Sequence, residues 1–235
     1  MQKIILMTSL FLIGIQFLNA QNFIPAMDRY SHKKPAYIHL QDGTVIEGIL
    51  KDVDRKKGLV KSIELQDPAD HKGKIKPEQI RFMYLPPSGF EKMTVWTENA
   101  TNANKWETSN LDKDIIEKGY VYLERTNVLL GKETHALMLQ VINPTFNTSF
   151  SVYEDPNSPR TTSVGVGPLT VAGGVPKSVF IRRIGDEVAF ELKKKHYRDE
   201  FERLFGDCEE VMKTYGEKPQ WDEFEAHLWM YTQCQ

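Results

Sequence analysis

The chain has 235 residues, 40% hydrophobic and 26% charged, with 30 Lys and Arg against 32 Asp and Glu and a formal net charge of −2. This balance excludes a chain too polar to fold and a strongly basic binder of nucleic acid or anionic membrane, both of which depend on a large excess of one charge. The length admits one large or two small domains.

Residues 1–20, MQKIILMTSLFLIGIQFLNA, carry Lys3 as their one charge, run uncharged from Ile4 to Leu18 and end on the small Ala20. That is the pattern of a secretory signal peptide, cleaved after Ala20. The apolar run falls short of the ~20 residues that span a bilayer, and Gln21 stands where a lipid-anchored protein needs Cys. Removing the segment takes away one basic and no acidic residue. The expected product is a secreted protein, periplasmic or extracellular, with no transmembrane segment after cleavage.

Residues 21–35 end in SHKKP and read as a linker or arm. From Ala36 an alternating pattern begins. Ala36, Ile38 and Leu40 face one way, Asp42-Gly43 makes a two-residue hairpin turn, and Ile46, Gly48 and Leu50 line one face of the next strand. Gly48 removes a side chain where a short strand bends. DRKKG turns the chain into a third strand from Leu59 to Leu65, KPEQ is one tight helical turn, and IRFMYL is a strand stopped by Pro86-Pro87. Residues 36–88 thus form one small β-barrel.

From 89 onward the strand candidates are GYVYLERTNVLL, HALMLQVI, SFSVY, KSVFIRRI and EVAFEL. HALMLQVI is apolar on both faces, which predicts a central position in its sheet. Gly185-Asp186 between two strong strands predicts a type II′ hairpin. In residues 193–235 the period changes to 3.6. Tyr197, Phe201, Leu204 and Phe205 share a helical face ended by Gly206; Asp207 with Glu210 predicts the start of a second helix ended by Gly216; Phe224, Leu228 and Tyr231 line a third. The fold class is mainly β, a β-rich α+β protein with a small SH3-like or Sm-like barrel, a second β unit and a C-terminal helical segment.

The two cysteines, Cys208 and Cys234, predict a disulfide in an exported chain, where closure of such a loop stabilises by about 3 kcal/mol. A nucleophilic cysteine served by His227 is the rival reading, and no flanking pattern marks it. Asp52, Asp54, Gly58 and Glu64 suggest a calcium loop, but Lys57 stands at its glycine position and Ile63 at its final acidic position. His196 with Glu200, and Glu223 with His227, lie four apart on helices; without a third ligand they read as solvated pairs, and no metal or other cofactor is assigned. GVGPLTVAGG has Pro168 and no following helix, so it reads as a hairpin or loop and not as a phosphate cradle. Trp106 sits in the polar stretch NANKWETSN, and an aromatic there can stack on a sugar or anchor a protein; with Trp96 it is the candidate binding residue.

Gly48, Leu50, Val53 and Asp54, followed by IRFMYL and its prolines, resemble the Sm-like family over about fifty residues. The base-holding Asn of that family is replaced by Gly58 and its Arg-Gly pair is missing, so the resemblance implies a barrel without RNA binding. The whole layout, an export signal, a DG hairpin, β-strands and a helical tail containing DC, is similar to uncharacterised secreted proteins of Gram-negative bacteria. The expected function is a non-enzymatic binding or structural protein of the bacterial cell envelope, recognising a protein, a glycan or a surface component and no nucleic acid, with no catalytic residue assigned. The alternative is an exported hydrolase whose site is assembled from separated residues, with His135, His196 or His227 as base.

Overall fold

The computed structural model describes residues 23–66, 73–89, 111–158 and 176–234. The predicted signal segment 1–20, the glycine-rich stretch 165–174, Trp96 and Trp106 lie outside them. The described chain is strand-rich. Its strands are β1 (Pro35–Leu40), β2 (Val45–Lys56), β3 (Leu59–Gln66), β4 (Lys74–Ile75), β5 (Ile80–Leu85), β6 (Val121–Leu130), β7 (Glu133–Gln140), β8 (Phe150–Glu154), β9 (Ser178–Arg183) and β10 (Val188–Lys193). Its α-helices are α1 (Lys113–Glu117), α2 (Tyr197–Phe205), α3 (Glu209–Tyr215) and α4 (Phe224–Thr232).

The hairpin turns differ from the sequence expectation at two places. Asp42-Gly43 closes a three-residue loop. Leu40 N–H donates to Thr44 O at 2.8 Å, Gly43 takes a positive φ of 89°, and Asp42 Oδ1 accepts from Thr44 N–H at 2.9 Å. The extra residue is Gln41, whose amide side chain ties the loop to the Ile80 carbonyl at 2.9 Å. A two-residue turn occurs instead at Lys57-Gly58, with φ of 52° and 76° between the paired Lys56 and Leu59. In the β9–β10 hairpin, Asp186 N–H donates to Arg183 O, so Gly185, with φ 99°, is the third residue of the turn 183–186 inside a four-residue connection and not the first central residue of a type II′ turn.

All ten strands belong to one sheet in the order β4-β3-β2-β1-β5-β6-β10-β9-β8, with β7 also paired to β6. β6 is long enough to serve two neighbours along one edge: Val121–Glu124 pair with β5 and Asn127–Leu129 with β10, the latter in parallel. Its other edge carries β7 from Leu123 to Leu130. Beyond β7, Val141 bridges to Tyr153 of β8, and Ile142 N–H donates to Val152 O at 2.8 Å. Strands β6, β7, β8, β9 and β10 therefore return on themselves as a small ring.

Period-2 alternation on β6 explains how one strand serves two cores. Val121 and Leu123 enter the first core with Ala36, Ile38, Leu50, Ile63, Ile80 and Met83, all almost fully buried. Tyr122 and Val128 point the other way, into the ring, with Leu139, Tyr153, Phe180 and Ala189. β7 follows the same rule, with Met138 in the first core and Leu139 in the ring. Its two apolar faces thus reflect a wall between cores. The predicted central position does not hold, because β7 pairs along its length only with β6 and its Glu133–Ala136 half is exposed.

Residues 23–34 form an arm along the first core, inserting Ile24, Met27 and Tyr30. Arg55 holds it, donating to the Tyr30 hydroxyl at 2.6 Å and to Met27 O at 3.2 Å. Gly48 leaves room for Leu65, whose Cδ1 would lie 3.0 Å from an added Cβ.

The opposite faces of β8, β9 and β10 present Phe150, Val152, Val179, Ile181 and Leu192 to the C-terminal helices. Tyr197, Phe201, Leu204 and Phe205 of α2 and Phe224, Leu228 and Tyr231 of α4 fill that layer. At roughly 2 kcal/mol for each fully buried large apolar side chain, this third core is a main source of stability. Cys208 and Cys234 form a disulfide with Cα atoms 5.8 Å apart, joining the start of α3 to the end of α4. The N-cap of α3 is Cys208, whose Sγ accepts from Val211 N–H, and not Asp207. Asp207 is drawn away by Tyr231, whose hydroxyl donates to Oδ2 at 2.8 Å, and by Arg183.

Candidate functional site

The outer face of β1 and β5 runs without a break into the interior of the ring, because β5 and β6 pair in register. Two cross-strand rows follow. In one, Val45, His39, Phe82 and Glu124 are successive partners. In the other, the succession is Glu47, Tyr37, Tyr84 and Tyr122. His39 stacks on Phe82 with centroids 4.1 Å apart, Phe82 meets Tyr84 edge-on at 5.9 Å, and Tyr84 meets Tyr122 at 5.1 Å. Such contacts add about 0.5–1.5 kcal/mol each beyond the area they bury. Helix α1 covers the Tyr84 side, where Asp112 N–H donates to the Tyr84 hydroxyl at 3.2 Å. At the other end Val45 is 54% exposed, and Tyr37, His39 and Phe82 are half-buried.

Glu124 terminates the first row with its carboxylate surrounded by donors. The Tyr122 hydroxyl donates to Oε2 at 3.0 Å, the Tyr153 hydroxyl donates to Oε1, and Arg182 Nη2 donates to Oε1 at 2.9 Å. Arg182 also lies over the Tyr153 ring, 5.7 Å from its centroid. Burial, followed by the Glu124 charge, pushes both tyrosines far above the usual phenol range, so they act as fixed hydroxyl donors. Burial, followed by Arg81, lowers the His39 pKa, which favours a neutral ring. Arg182 Nε is buried without a hydrogen-bond partner. The group as a whole fixes geometry, because a carboxylate that accepts three hydrogen bonds holds its three donors in place.

A concavity of about 340 Å³ lies elsewhere, between the arm and β2, and is lined in part by Asp28, Arg29, Tyr30, His32, Asp52 and Val53. His32 Nδ1 is 2.8 Å from Leu50 O and anchors that wall.

The three histidines considered as bases stand on separate elements. His135 is on the exposed half of β7 with Nε2 3.4 Å from Glu133, His196 is exposed in the turn before α2, and His227 is buried on α4. The reading of Glu223 and His227 as a solvated pair fails for His227, which has no exposed surface, because its ring is needed to fill the space between three helices. Of the former calcium candidates, Glu64 accepts from Lys51 Nζ at 2.6 Å. Among the described residues no group of three or more His, Cys, Asp and Glu is arranged to hold a metal ion.

Sequence reasoning missed Glu124, Arg182, Phe82 and His39. One signal was available: in GYVYLERTNVLL, Tyr122, Glu124, Thr126 and Val128 alternate on one face, placing a carboxylate mid-strand among apolar neighbours. Its partner Arg182 is 58 residues away and carries no local mark.

Compared with protein-family models, with curated proteins and with solved structures, the chain matches none. No helix among the described residues is long and apolar enough to cross a membrane.

Proposed function

We propose that this is an exported, non-enzymatic binding protein of the bacterial cell envelope, and that its recognition surface is the aromatic face running from Val45 through His39 and Phe82 to Glu124. The carrying observation is that face: an exposed Val45 and half-buried rings lead to a fixed charged cluster, and such a mixture of apolar area and oriented polar groups suits ligand recognition. Export is supported by the signal-peptide pattern of residues 1–20 and by the Cys208–Cys234 disulfide, which suits an oxidising compartment. An SH3-like or Sm-like barrel is supported by the order β4-β3-β2-β1-β5 and the 3₁₀ turn Pro77–Gln79 between β4 and β5. The separation of His135, His196 and His227 favours binding over hydrolysis.

The ligand is expected to be a protein, a glycan or another surface component. Purified protein applied to isolated envelope proteins and to envelope glycans, with Val45→Lys and Phe82→Ala alongside, tests the reading. Saturable binding weakened tenfold or more by both changes supports it. Equal binding by all three proteins, or robust turnover of ester, peptide or glycoside substrates, contradicts it.

A further inference from the structure

All three C-terminal helices meet at the ring of His227. Its Nδ1 lies 2.6 Å from the Tyr197 hydroxyl of α2, Tyr215 at the end of α3 places its ring 4.2 Å away, and Phe201 of α2 closes another side at 5.2 Å. The imidazole is fully buried. Its second nitrogen, Nε2, has no hydrogen-bond partner, and the carboxylate oxygen of Glu223 stands 3.9 Å off, beyond hydrogen-bond reach. The titratable groups facing the ring are thus Tyr197, Tyr215 and Glu223.

One hydrogen bond to Tyr197 satisfies Nδ1 of the neutral ring and leaves Nε2 unpaired but uncharged. A second ring proton changes that. Both nitrogens become donors, Nδ1–H must donate to the Tyr197 oxygen, the Tyr197 O–H must turn towards a wall of rings, and the ring charge is buried with the Glu223 carboxylate 3.9 Å from Nε2, beyond hydrogen-bond reach. Tyr197 cannot relieve this by ionising, since burial holds its pKa far above the phenol range.

We propose that His227 is an acid-operated latch: its protonation releases α2, α3 and α4 from the outer wall of the ring, while the Cys208–Cys234 bridge keeps α3 and α4 tied together. Release would uncover the apolar wall of Phe150, Val152, Ile181 and Leu192. Burial lowers the His227 pKa to about 4, against 6.5 for a free histidine. Above pH 6.5 both the closed and the released states hold the ring neutral. Between 6.5 and about 4 the released state takes up one more proton, and opening becomes favoured by up to about tenfold per pH unit. Below about 4 the effect saturates.

Hydrogen exchange on the full exported chain, corrected for the intrinsic pH dependence of amide exchange, tests this against His227→Gln, which keeps a polar group but cannot be charged. The expected result is that protection of amides in α2 and α4 falls by up to about tenfold per pH unit from pH 6 to 4 relative to amides of β1 and β2, and that the fall is absent in the variant. NMR titration of the His227 ring in the unmodified protein serves if the variant does not fold, and it should show a neutral ring down to about pH 4.5. A ring titrating near 6.5 with helix protection unchanged, or the same loss of protection in His227→Gln, overturns the proposal.

Discussion

Arg182 of β9 and Glu124 of β6 form an ion pair inside the ring of strands, 2.9 Å from Nη2 to Oε1, with 22% and 19% of their side chains exposed. Two tyrosine hydroxyls share the same carboxylate, so the pair is part of a network that joins β6, β8 and β9. Removing Arg182 leaves the Glu124 charge largely shielded from water with only the two tyrosine hydroxyls to compensate it. Arg182→Met should therefore destabilise the protein by about 3 kcal/mol, whereas the double change Glu124→Leu with Arg182→Met should recover much of that loss. Urea unfolding of the three proteins measures both. A single change costing under about 0.5 kcal/mol, within the range of ordinary surface substitutions, would contradict the network's role.

Gly58 and Gly43 both take positive φ, yet only Gly58 is crowded: an added Cβ would lie 2.5 Å from Pro156 Cβ, whereas nothing lies within 4 Å at Gly43. Gly43→Ala should lose about 1 kcal/mol from backbone strain alone, and Gly58→Ala about 2–3 kcal/mol because the β2–β3 hairpin must also move. Thermal or urea unfolding of the pair gives the order, which should not reverse.

The disulfide stabilises chiefly by restricting the unfolded chain, and Cys208 also caps α3. Replacing both cysteines with serine should lower stability by about 3 kcal/mol while leaving the strands folded, since the described strands carry no cysteine. Thiol titration of the native protein should find no free thiol before reduction and two after it.

Partial burial alone would raise the Asp207 carboxyl, but the Tyr231 hydrogen bond and the Arg183 charge outweigh it and hold the group below the usual aspartate range. A depressed folded pKa gives stability that is present above the unfolded value and lost as pH falls through the folded one. The Asp207 contribution should thus be full above about pH 4 and be lost progressively below it, down through the folded pKa. In Tyr231→Phe the Asp207 pKa should rise, as followed by carboxyl NMR shifts, so the contribution should be smaller and its loss complete at higher pH.

Local pattern was legible where one residue decides one contact. Ala36, Ile38 and Leu40 recur at every second position, and Tyr197, Phe201 and Leu204 repeat at helical spacing, so strands and helices follow directly. The Cys208–Cys234 pairing follows from there being only two cysteines. What was not legible depends on partners far apart in sequence. β6 reads as an ordinary strand until β5, β7 and β10 are placed beside it, and only then do Tyr122 and Leu123 face different cores. His227 reads as a solvated neighbour of Glu223, because the four-residue spacing carries no sign of Tyr197 thirty residues earlier. The aromatic face escaped notice for the same reason: His39, Phe82 and Glu124 come from three strands.

The most direct test of the central claim is titration of envelope components with the unmodified protein and with Val45→Lys. Val45 is the most exposed residue of the proposed face, so its replacement should leave the unfolding midpoint unchanged. Affinity should fall tenfold or more at unchanged stability. Equal affinity of the two proteins would contradict the claim.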